Sequence, residues 1–273
     1  MAKAHPIQTA RAPSMVKSAS RALDVFELLV NHRQGLTVSQ ISRELELPVS
    51  SAFELVQTLT QRSYLEAVPG VKAYRLGLKL LEIGSTYLRE FSLLDEARPI
   101  MRELVRICDE TVNLAILDKT DILFMAKEEG TKSMRLVSYV GKRLPAHATA
   151  LGKVLLSALS ETELEALYRN VKLERLTSKT ISGFASLKKE LRWVRLHGYA
   201  EDEQETSAGL HCLAAPIYNH QHRVVAALSI SLPSVRLDRR RLNELIGLVL
   251  SGAGRISQSI GYQAGSRSQL ASL

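Results

Sequence analysis

The 273-residue sequence predicts an α+β protein built from two parts. Its first 77 residues contain three short helical patterns followed by a hairpin pattern, and helices alternate with strands from residue 93 onward. The chain is also longer than the roughly 100–200 residues of an ordinary domain. These observations predict a small helical unit with a hairpin, a connecting helix and a larger mixed unit.

The first helical pattern covers residues 20–30. Its apolar residues recur at helical spacing and predict one inward face: Leu23, Phe26, Leu29 and Val30. Ser18 or Ser20 is expected to cap the start of this helix, because a serine hydroxyl accepts a hydrogen bond from a free backbone N–H of the first turn.

Two further short helices follow. Gly35 ends the first pattern, and Thr37 is a predicted N-cap for a helix in which Val38, Ile41 and Leu45 share one face. A tight turn at Pro48 comes next, because proline disfavours the helical conformation of the residue before it. Ser50 or Ser51 then opens a third helix, whose predicted inward residues are Ala52, Leu55, Val56 and Leu59.

Residues 64–67 and 72–76 alternate in period two around Pro69-Gly70, which predicts a hairpin. Three helices joined by a tight turn and followed by a hairpin form a winged helix-turn-helix, which binds double-stranded DNA. The alternative is a small helical lobe of an enzyme. The short second helix, the proline turn and the hairpin occur together, and this favours DNA binding.

A connecting helix is predicted over residues 77–91, where Leu78, Leu81, Ser85 and Leu88 recur at helical spacing and need a partner. Beyond it, helices are predicted at residues 94–108, 149–156, 160–168, 187–197 and 238–261. Strands are predicted at residues 111–117, 122–127, 134–140, 199–203, 210–218 and 224–232, the first two forming a hairpin.

Composition narrows the function classes. The net charge of +8 favours a polyanionic partner, and residues 1–22 carry four basic side chains and no acidic one. No apolar run reaches the ~20 residues that cross a bilayer, so we expect no membrane partner. No signal-peptide pattern is present, which predicts a cytoplasmic protein. The two cysteines, Cys108 and Cys212, lack the spacing of a zinc site or a redox pair.

With these elements placed, residues 18–262 resemble the IclR family of transcription regulators. In the N-terminal part the likeness lies in Ser20-Arg21-Ala22-Leu23, Leu36-Thr37-Val38-Ser39-Gln40-Ile41 and Tyr74-Arg75-Leu76-Gly77. In the C-terminal part it lies in Ala146-His147-Ala148-Thr149-Ala150-Leu151-Gly152-Lys153, Gly198-Tyr199-Ala200-Glu201-Asp202-Glu203, Gly209-Leu210-His211-Cys212-Leu213-Ala214-Ala215-Pro216 and Val225-Ala226-Ala227-Leu228-Ser229-Ile230-Ser231.

The resemblance implies a homodimer or homotetramer that represses or activates a catabolic operon in response to a small organic or aromatic acid. It implies no enzyme activity and no cofactor. The effector domain would resemble a GAF fold, with an antiparallel sheet around a small-molecule pocket. The expected organisation is a disordered basic arm (1–17), a winged helix-turn-helix (18–77), a linker helix (78–92), an effector domain (93–262) and a disordered tail (263–273).

The outward side chains near the start of the third helix are the expected base readers: Ser50, Ser51, Phe53, Glu54 and Gln57. Phosphate contacts are expected from Arg43, Lys72 and Arg75, and a minor-groove contact from Arg11, Lys17 or Arg21. Glu54 departs from the family, whose members usually place an arginine there. It either accepts a hydrogen bond from a cytosine or is a solvated or Arg-paired surface residue.

The resemblance also assigns an effector site by motif. Ala150 and Leu151 stand at a helix start after His147, where free N–H groups favour an anion. The other expected residues supply polar groups or apolar walls: Asp202, Cys212, Ser229, Ser231, Leu136, Leu144 and Leu210. Two alternatives stay open: a cysteine-dependent hydrolase using Cys212 with His147 or His211 as base and Asp202 as orienter, and a metal site built from the same four residues.

Overall fold

A computed structural model of the chain describes residues 16–89, 92–131 and 138–263. By its internal contacts the chain divides into two units, residues 1–90 and 91–273, which we describe separately. Residues 1–15 and 264–273 lie outside the described residues, and with them most of the predicted arm and tail. The domain boundaries drawn from the sequence stay predictions.

The first unit contains three short helices, a two-stranded antiparallel hairpin and a fourth helix. The helices are α1 (Lys17–Val30), α2 (Val38–Glu44) and α3 (Val49–Gln61). The hairpin pairs β1 (Leu65–Ala67) with β2 (Tyr74–Leu76), and α4 (Leu78–Arg89) follows. The predicted helices, tight turn and hairpin are all present.

Helix α1 departs from the sequence prediction at its start and on its face. The helix begins at Lys17 after Val16, with no side-chain cap, so the prediction that Ser18 or Ser20 caps it is wrong. Val25 and Leu29 are its buried residues, whereas Leu23 is 58% exposed and Val30 is 49% exposed. The inward face is therefore rotated away from Leu23 towards Val25.

Local capping chemistry fixes the next two helices. Thr37 caps α2 in a reciprocal arrangement with Gln40, as the sequence predicts. The Ser42 hydroxyl donates to the Leu47 carbonyl at 2.6 Å and closes the turn before α3. Pro48 is the N-cap residue of α3, so Ser50 and Ser51 lie inside its first turn and do not cap it.

The second unit is a six-stranded antiparallel sheet flanked by helices. The strands are β3 (Thr111–Asp118), β4 (Asp121–Glu128), β5 (Arg143–Pro145), β6 (Ala200–Glu203), β7 (Leu210–Tyr218) and β8 (Val224–Pro233), in the order β5-β4-β3-β8-β7-β6. The helices are α5 (Ser92–Cys108), α6 (Ala150–Ser157), α7 (Glu161–Leu167), α8 (Phe184–His197) and α9 (Arg239–Ser259). Strand β5 has no counterpart in the sequence prediction.

Helix α6 lies at the centre of this unit, with every residue from Ala150 to Ser157 buried. It packs against the face of the sheet that carries Ala115 and Ala227. The opposite face carries Leu228, which lies close to Gly252 of α9 and so packs with α5 and α9. The sheet therefore separates two layers of helices, which agrees with the predicted α+β class.

Of the predicted strand at residues 134–140, residues 134–137 lie outside the described residues and residues 138–140 are not in a strand. The other predicted strands and helices of this unit are present within a few residues. Gly198 ends α8 in the left-handed conformation (φ 78°), as its position predicts. Among the described helices, none is long and apolar enough to cross a membrane.

Candidate functional site

The exposed side of α3 carries the predicted base readers. Phe53 is 50% exposed, Ser50 and Glu54 are exposed, and Ser51 and Gln57 are half-buried. The inward positions Ala52, Val56 and Leu59 pack into the core of the first unit, which also holds Val25 and Leu29 of α1. One helix thus presents a polar face while its apolar face anchors it, as the helix that enters a major groove requires.

The cations beside α3 differ in their partners. The Arg43 side chain is 74% exposed, and its one ion pair among the described residues is with Glu44 at 3.6 Å. Lys72 is exposed at the tip of the hairpin. Arg75 donates to Glu66 across the hairpin at 2.6 Å, so its charge is partly neutralised by the neighbouring strand. Arg43 and Lys72 are therefore the freer phosphate ligands of the predicted set.

Glu54 has no ion-pair partner among the described residues, and its side chain is exposed. The Arg-paired alternative for Glu54 is therefore not what the structure contains.

A cavity of about 320 Å³ lies in the second unit between the sheet and the start of α6. Most of the predicted effector residues line it: Leu144, Ala150, Leu151, Asp202, Leu210, Cys212, Ser229 and Ser231. Leu136 lies outside the described residues. The lining also contains residues that the sequence reasoning missed: Asn113, Ile122, Phe124, Ser138, Lys142, Thr149, Thr206 and Ser207.

His147 is the predicted site residue that the structure places elsewhere. Its ring is buried and does not line the cavity, because Nε2 lies 2.9 Å from the Glu174 carbonyl oxygen. Its position in the motif is therefore explained by packing of the short turn Ala146–Ala148 that precedes α6.

Sheet register builds the polar floor of the cavity. Asn113 on β3 pairs with Ser229 on β8, and its side-chain amide donates to the Ser231 hydroxyl at 3.3 Å. The Ser138 hydroxyl donates to the other end of the same amide at 3.3 Å. The Ser229 hydroxyl is buried, and the described residues offer it no hydrogen-bond partner. A buried hydroxyl without a partner costs free energy, so a ligand atom that pairs with it gains affinity.

Two features of the cavity favour an anion. Helix α6 begins there, and the Thr149 hydroxyl accepts from the Gly152 N–H at 2.9 Å, so only part of the first turn is capped by a side chain. Lys142 brings a cation to the wall, and burial lowers the pKa of its amine. Phe124 and Leu144 supply apolar surface opposite these groups.

Asp202 is committed to the protein itself. One carboxylate oxygen accepts from the Glu205 N–H at 2.6 Å, and the other accepts from the Thr206 hydroxyl. Burial raises the pKa of this carboxyl, and the Thr206 and Glu205 hydrogen bonds oppose that rise. Because these donors hold both oxygens, Asp202 fixes the backbone at Glu205 and Thr206 and so shapes the cavity wall.

The geometry gives no support to the cysteine hydrolase. Burial and the nearby Asp202 raise the pKa of the Cys212 thiol, which is the opposite of what a nucleophile needs. The two candidate bases have other partners: the His211 ring is hydrogen-bonded to the Glu201 carboxylate at 2.9 Å, and the His147 ring is hydrogen-bonded to the Glu174 carbonyl. Within the described ranges, no cluster of three or more His, Cys, Asp or Glu side chains is arranged to hold a metal ion.

Both units are similar to known proteins. Residues 18–69 match the IclR helix-turn-helix domain, and residues 85–258 match the C-terminal domain of bacterial IclR transcriptional regulators. The chain is 34% identical to the HTH-type transcriptional regulator XynR of Escherichia coli K12, over 92% of this chain and 99% of that protein. It is 32% identical to KdgR of the same organism, over 92% and 95%.

A solved structure of an IclR homologue from Microbacterium hydrocarbonoxydans, in complex with 4-hydroxybenzoate, is also similar. The match has a TM-score of 0.78 and 25% sequence identity, and it covers 89% of this chain and 98% of that one.

Proposed function

The chain belongs to the IclR family of bacterial transcriptional regulators, and we propose that it senses a small carboxylic acid in the cavity at the start of α6. It is a DNA-binding transcription regulator and not an enzyme. We propose its ligand class, its contact residues and its oligomeric state as follows from the site.

The unpartnered Ser229 hydroxyl carries the ligand assignment. It lines the cavity beside Ser231 on the same face of β8, so a ligand oxygen at this place satisfies a group that the protein leaves unsatisfied. We place the ligand carboxylate at the first-turn N–H groups of α6, at Ala150 and Leu151, within the field of Lys142.

The size and walls of the cavity support a small ring or a short chain between these polar ends. Phe124, Leu144, Leu151 and Leu210 enclose the middle of the cavity. The homologue that binds 4-hydroxybenzoate carries a ligand of this kind, with a carboxylate at one end and a hydroxyl at the other. An aromatic or short aliphatic hydroxy acid is therefore the proposed effector class.

For the DNA complex, we place α3 in the major groove, with Ser50, Ser51, Phe53 and Gln57 at the base edges. Glu54 accepts a hydrogen bond from a cytosine N4 amine, because a free exposed carboxylate is repelled by phosphate and attracted by that donor. Arg43, Lys72 and Arg75 contact phosphates, and Arg11 of the N-terminal arm, or Lys17 or Arg21 near the start of α1, lies along the minor groove. Arg11 is outside the described residues.

We propose that two or four copies assemble and act in the cytoplasm, where their DNA partner is. Helix α4 leaves Leu78 75% exposed and Leu81 67% exposed, and these two residues share one helical face, which is the apolar stripe that a second copy covers. Ligand binding would change how this linker helix positions two wings on successive half-sites. The side chain of Leu88 lies among those that the structure does not describe.

A thermal-shift screen of small carboxylic and aromatic acids, 4-hydroxybenzoate included, tests the ligand assignment. At least one acid is expected to raise the melting temperature of the wild-type protein, because a ligand that binds only the folded state stabilises it by mass action. Ser229→Ala should keep the unliganded melting temperature and lose most of the ligand-induced rise, since it removes a hydroxyl that only the ligand satisfies.

Ser234→Ala is the matched control, because the Ser234 hydroxyl is also buried and unpartnered but does not line the cavity. It should keep the full ligand-induced rise in melting temperature. A screen in which no acid stabilises the protein, or an equal loss of the rise in both variants, would refute the assignment.

A further inference from the structure

A buried lysine lies on α6 outside the cavity lining. Lys153 is 2% exposed, and its ammonium group donates to three acceptors on three different segments. These are the Glu205 carboxylate, the Glu201 carbonyl at 2.8 Å and the Glu190 carboxylate on α8 at 3.2 Å. An ammonium group has three N–H donors, so its hydrogen-bonding capacity is used completely.

Its main partner belongs to a loop that lines the cavity. Residues 204–209, which we call the cavity loop, connect β6 to β7, and Thr206 and Ser207 of this loop line the cavity. The Glu205 carboxylate points the other way, towards Lys153, and its residue is only 6% exposed. The loop therefore has a cavity side and a side held by the ion pair.

The cavity loop is also held by hydrogen bonds from other segments of the second unit. The Thr177 hydroxyl donates to the Gln204 carbonyl at 2.8 Å, and the Thr180 hydroxyl donates to the Glu205 carbonyl at 2.6 Å. The Asp202 carboxylate accepts hydrogen bonds from two backbone N–H groups of the loop, those of Glu205 and Thr206. Backbone hydrogen bonds close the two ends of the loop, from the Gln204 N–H to the Leu210 carbonyl at 2.9 Å and from the Ser234 N–H to the Gly209 carbonyl at 2.8 Å. The loop has no regular secondary structure, and the ion pair adds the tie from its Glu205 side chain to α6.

We propose that Lys153 is a positioning residue for effector binding: its ion pair with Glu205 holds the cavity loop in place as the wall of the cavity. Lys153 does not touch the effector. It acts through Glu205 and the loop, and it ties the wall both to α6, whose first turn lies in the cavity, and to α8 through Glu190. This inference deepens the proposed effector function and rests on it.

The charge balance explains why the pair has this role. A buried ammonium needs a neutralising partner, and removing one member of a buried pair leaves an uncompensated charge. If Glu205 is lost, Lys153 keeps Glu190 and the Glu201 carbonyl, so α6 and α8 stay joined while the loop is released. If Lys153 is lost, Glu205 is drawn out towards water and takes the loop with it.

Alkylation of Cys212 by iodoacetamide tests this without any effector or DNA. Cys212 lines the cavity and pairs with Asp202 at the base of the loop, whereas Cys108 is buried at the end of α5, 3% exposed. In the full-length protein, Glu205→Ala and Lys153→Met are expected to accelerate Cys212 alkylation by about tenfold or more, because local opening exposes it. Cys108 should keep its wild-type rate. Mass spectrometry of the two peptides gives both rates.

Lys179→Met is the matched control, since Lys179 is an exposed lysine that pairs with Glu203 on the same surface and does not reach the loop. It should leave both rates unchanged. If Lys153→Met does not fold, the Cys212 alkylation rate of Glu205→Ala alone tests the proposal. The proposal is overturned if Cys212 reacts at the wild-type rate in Glu205→Ala, or if both cysteines accelerate by the same factor, which would indicate global unfolding. Neither result depends on the effector being an acid.

Discussion

The two units place their functional side chains in opposite ways. In the first unit, Phe53, Glu54 and Arg43 are exposed on short helices whose ends are fixed by neighbouring residues. In the second unit, the side chains of the proposed effector site face an interior cavity and come from strands far apart in sequence, as the pairing of Asn113 with Ser229 illustrates. A surface that reads a partner depends on local sequence, whereas a cavity depends on sheet register.

The same contrast holds for charge. The Arg75–Glu66 pair is exposed on the hairpin, where water screens it and each partner tolerates loss of the other. The Lys153–Glu205 pair is buried, where loss of one partner leaves a charge that the interior cannot solvate. Substitutions in the second unit should therefore change stability more than those on the DNA-facing surface.

The largest expected effect is at Gly152, which packs α6 against the turn before it. A Cβ there would lie 2.1 Å from the Ala146 carbonyl oxygen, a backbone atom that cannot move aside cheaply. Gly152→Ala should lower the free energy of unfolding of the second unit by about 3 kcal/mol. Urea unfolding followed by fluorescence of Trp193, the single tryptophan, reports this unit alone.

Gly247→Ala on α9 is the control for Gly152→Ala. A Cβ there meets no atom within 4 Å, so the variant should be stabilised by up to about 1 kcal/mol through helix propensity. Equal unfolding midpoints for the two variants would contradict the packing at Gly152.

Gly77 gives the corresponding test in the first unit. A Cβ there would lie 2.4 Å from the Ser63 carbonyl oxygen, so Gly77→Ala should destabilise the DNA-binding unit by about 2 kcal/mol. Operator affinity should fall while the Trp193 unfolding transition stays unchanged. A change in the midpoint of that transition would mean that the two units do not unfold independently.

Glu54 sharpens the account of the DNA surface. If it accepts from a cytosine amine, Glu54→Gln should reduce discrimination at one base pair by about 1–3 kcal/mol and leave the other positions unchanged. Affinities for a selected duplex and its single-base variants, at one salt concentration, measure this. An affinity that improves equally on every sequence after Glu54→Ala would show that the carboxylate only repels phosphate.

Asp202 should make the stability of the second unit depend on pH. Burial raises its pKa in the folded state, so its contribution to stability is present below its unfolded pKa and is lost as the pH rises through the folded pKa. Asp202→Asn does not titrate at this position, so its stability relative to wild type should increase between about pH 4.5 and about pH 7.5. Each pH unit that separates the folded from the unfolded pKa of Asp202 corresponds to about 1.4 kcal/mol of this increase.

Glu203→Gln is the control, because the hydrogen bond from the exposed Lys179 lowers the pKa of Glu203 and places its titration below this pH range, so the stability of the variant relative to wild type should change little between the two pH values. Urea unfolding at the two pH values, followed by Trp193 fluorescence, decides between these outcomes. A pH-independent difference between Asp202→Asn and wild type would contradict the raised pKa.

The smallest expected effect is at the exposed pair of the hairpin. Glu66→Gln should change the stability by less than about 1 kcal/mol, since exposed ion pairs contribute little. It frees Arg75 for a phosphate contact. The slope of the logarithm of DNA affinity against the logarithm of salt concentration should therefore steepen by about 0.9, the value for one phosphate contact. Glu82→Gln on α4 is the control and should keep the wild-type slope. An unchanged slope in Glu66→Gln would remove Arg75 from the phosphate contacts.

Features that depend on neighbouring residues can be predicted from the sequence, whereas features that depend on tertiary packing cannot. Thr37 is predictable as a helix cap because its capping partner, Gln40, lies only three residues away. The face of α1 was misassigned because Leu23 and Val25 both fit a helical period, and only packing into the core of the first unit decides between them.

The cavity was harder to predict than its motifs. Asn113 and Lys142 were missed because sheet register and strand order bring them to the site, and neither carries a local signal. Strand β5 was missed because three residues are too few for a periodic pattern. His147 was misplaced because its acceptor, Glu174, lies in a segment without regular structure that the sequence reasoning did not place.

The central claim is that one unit binds DNA and the other changes that binding through an acid. Selection of duplexes from a random pool by the full-length protein, followed by anisotropy titration of the enriched duplex with and without the acid found by thermal shift, tests it directly. We predict a shared enriched sequence, and an acid that changes DNA affinity by the same factor as the duplex changes acid affinity. No enriched sequence, or an acid that binds without changing DNA affinity, would contradict the account.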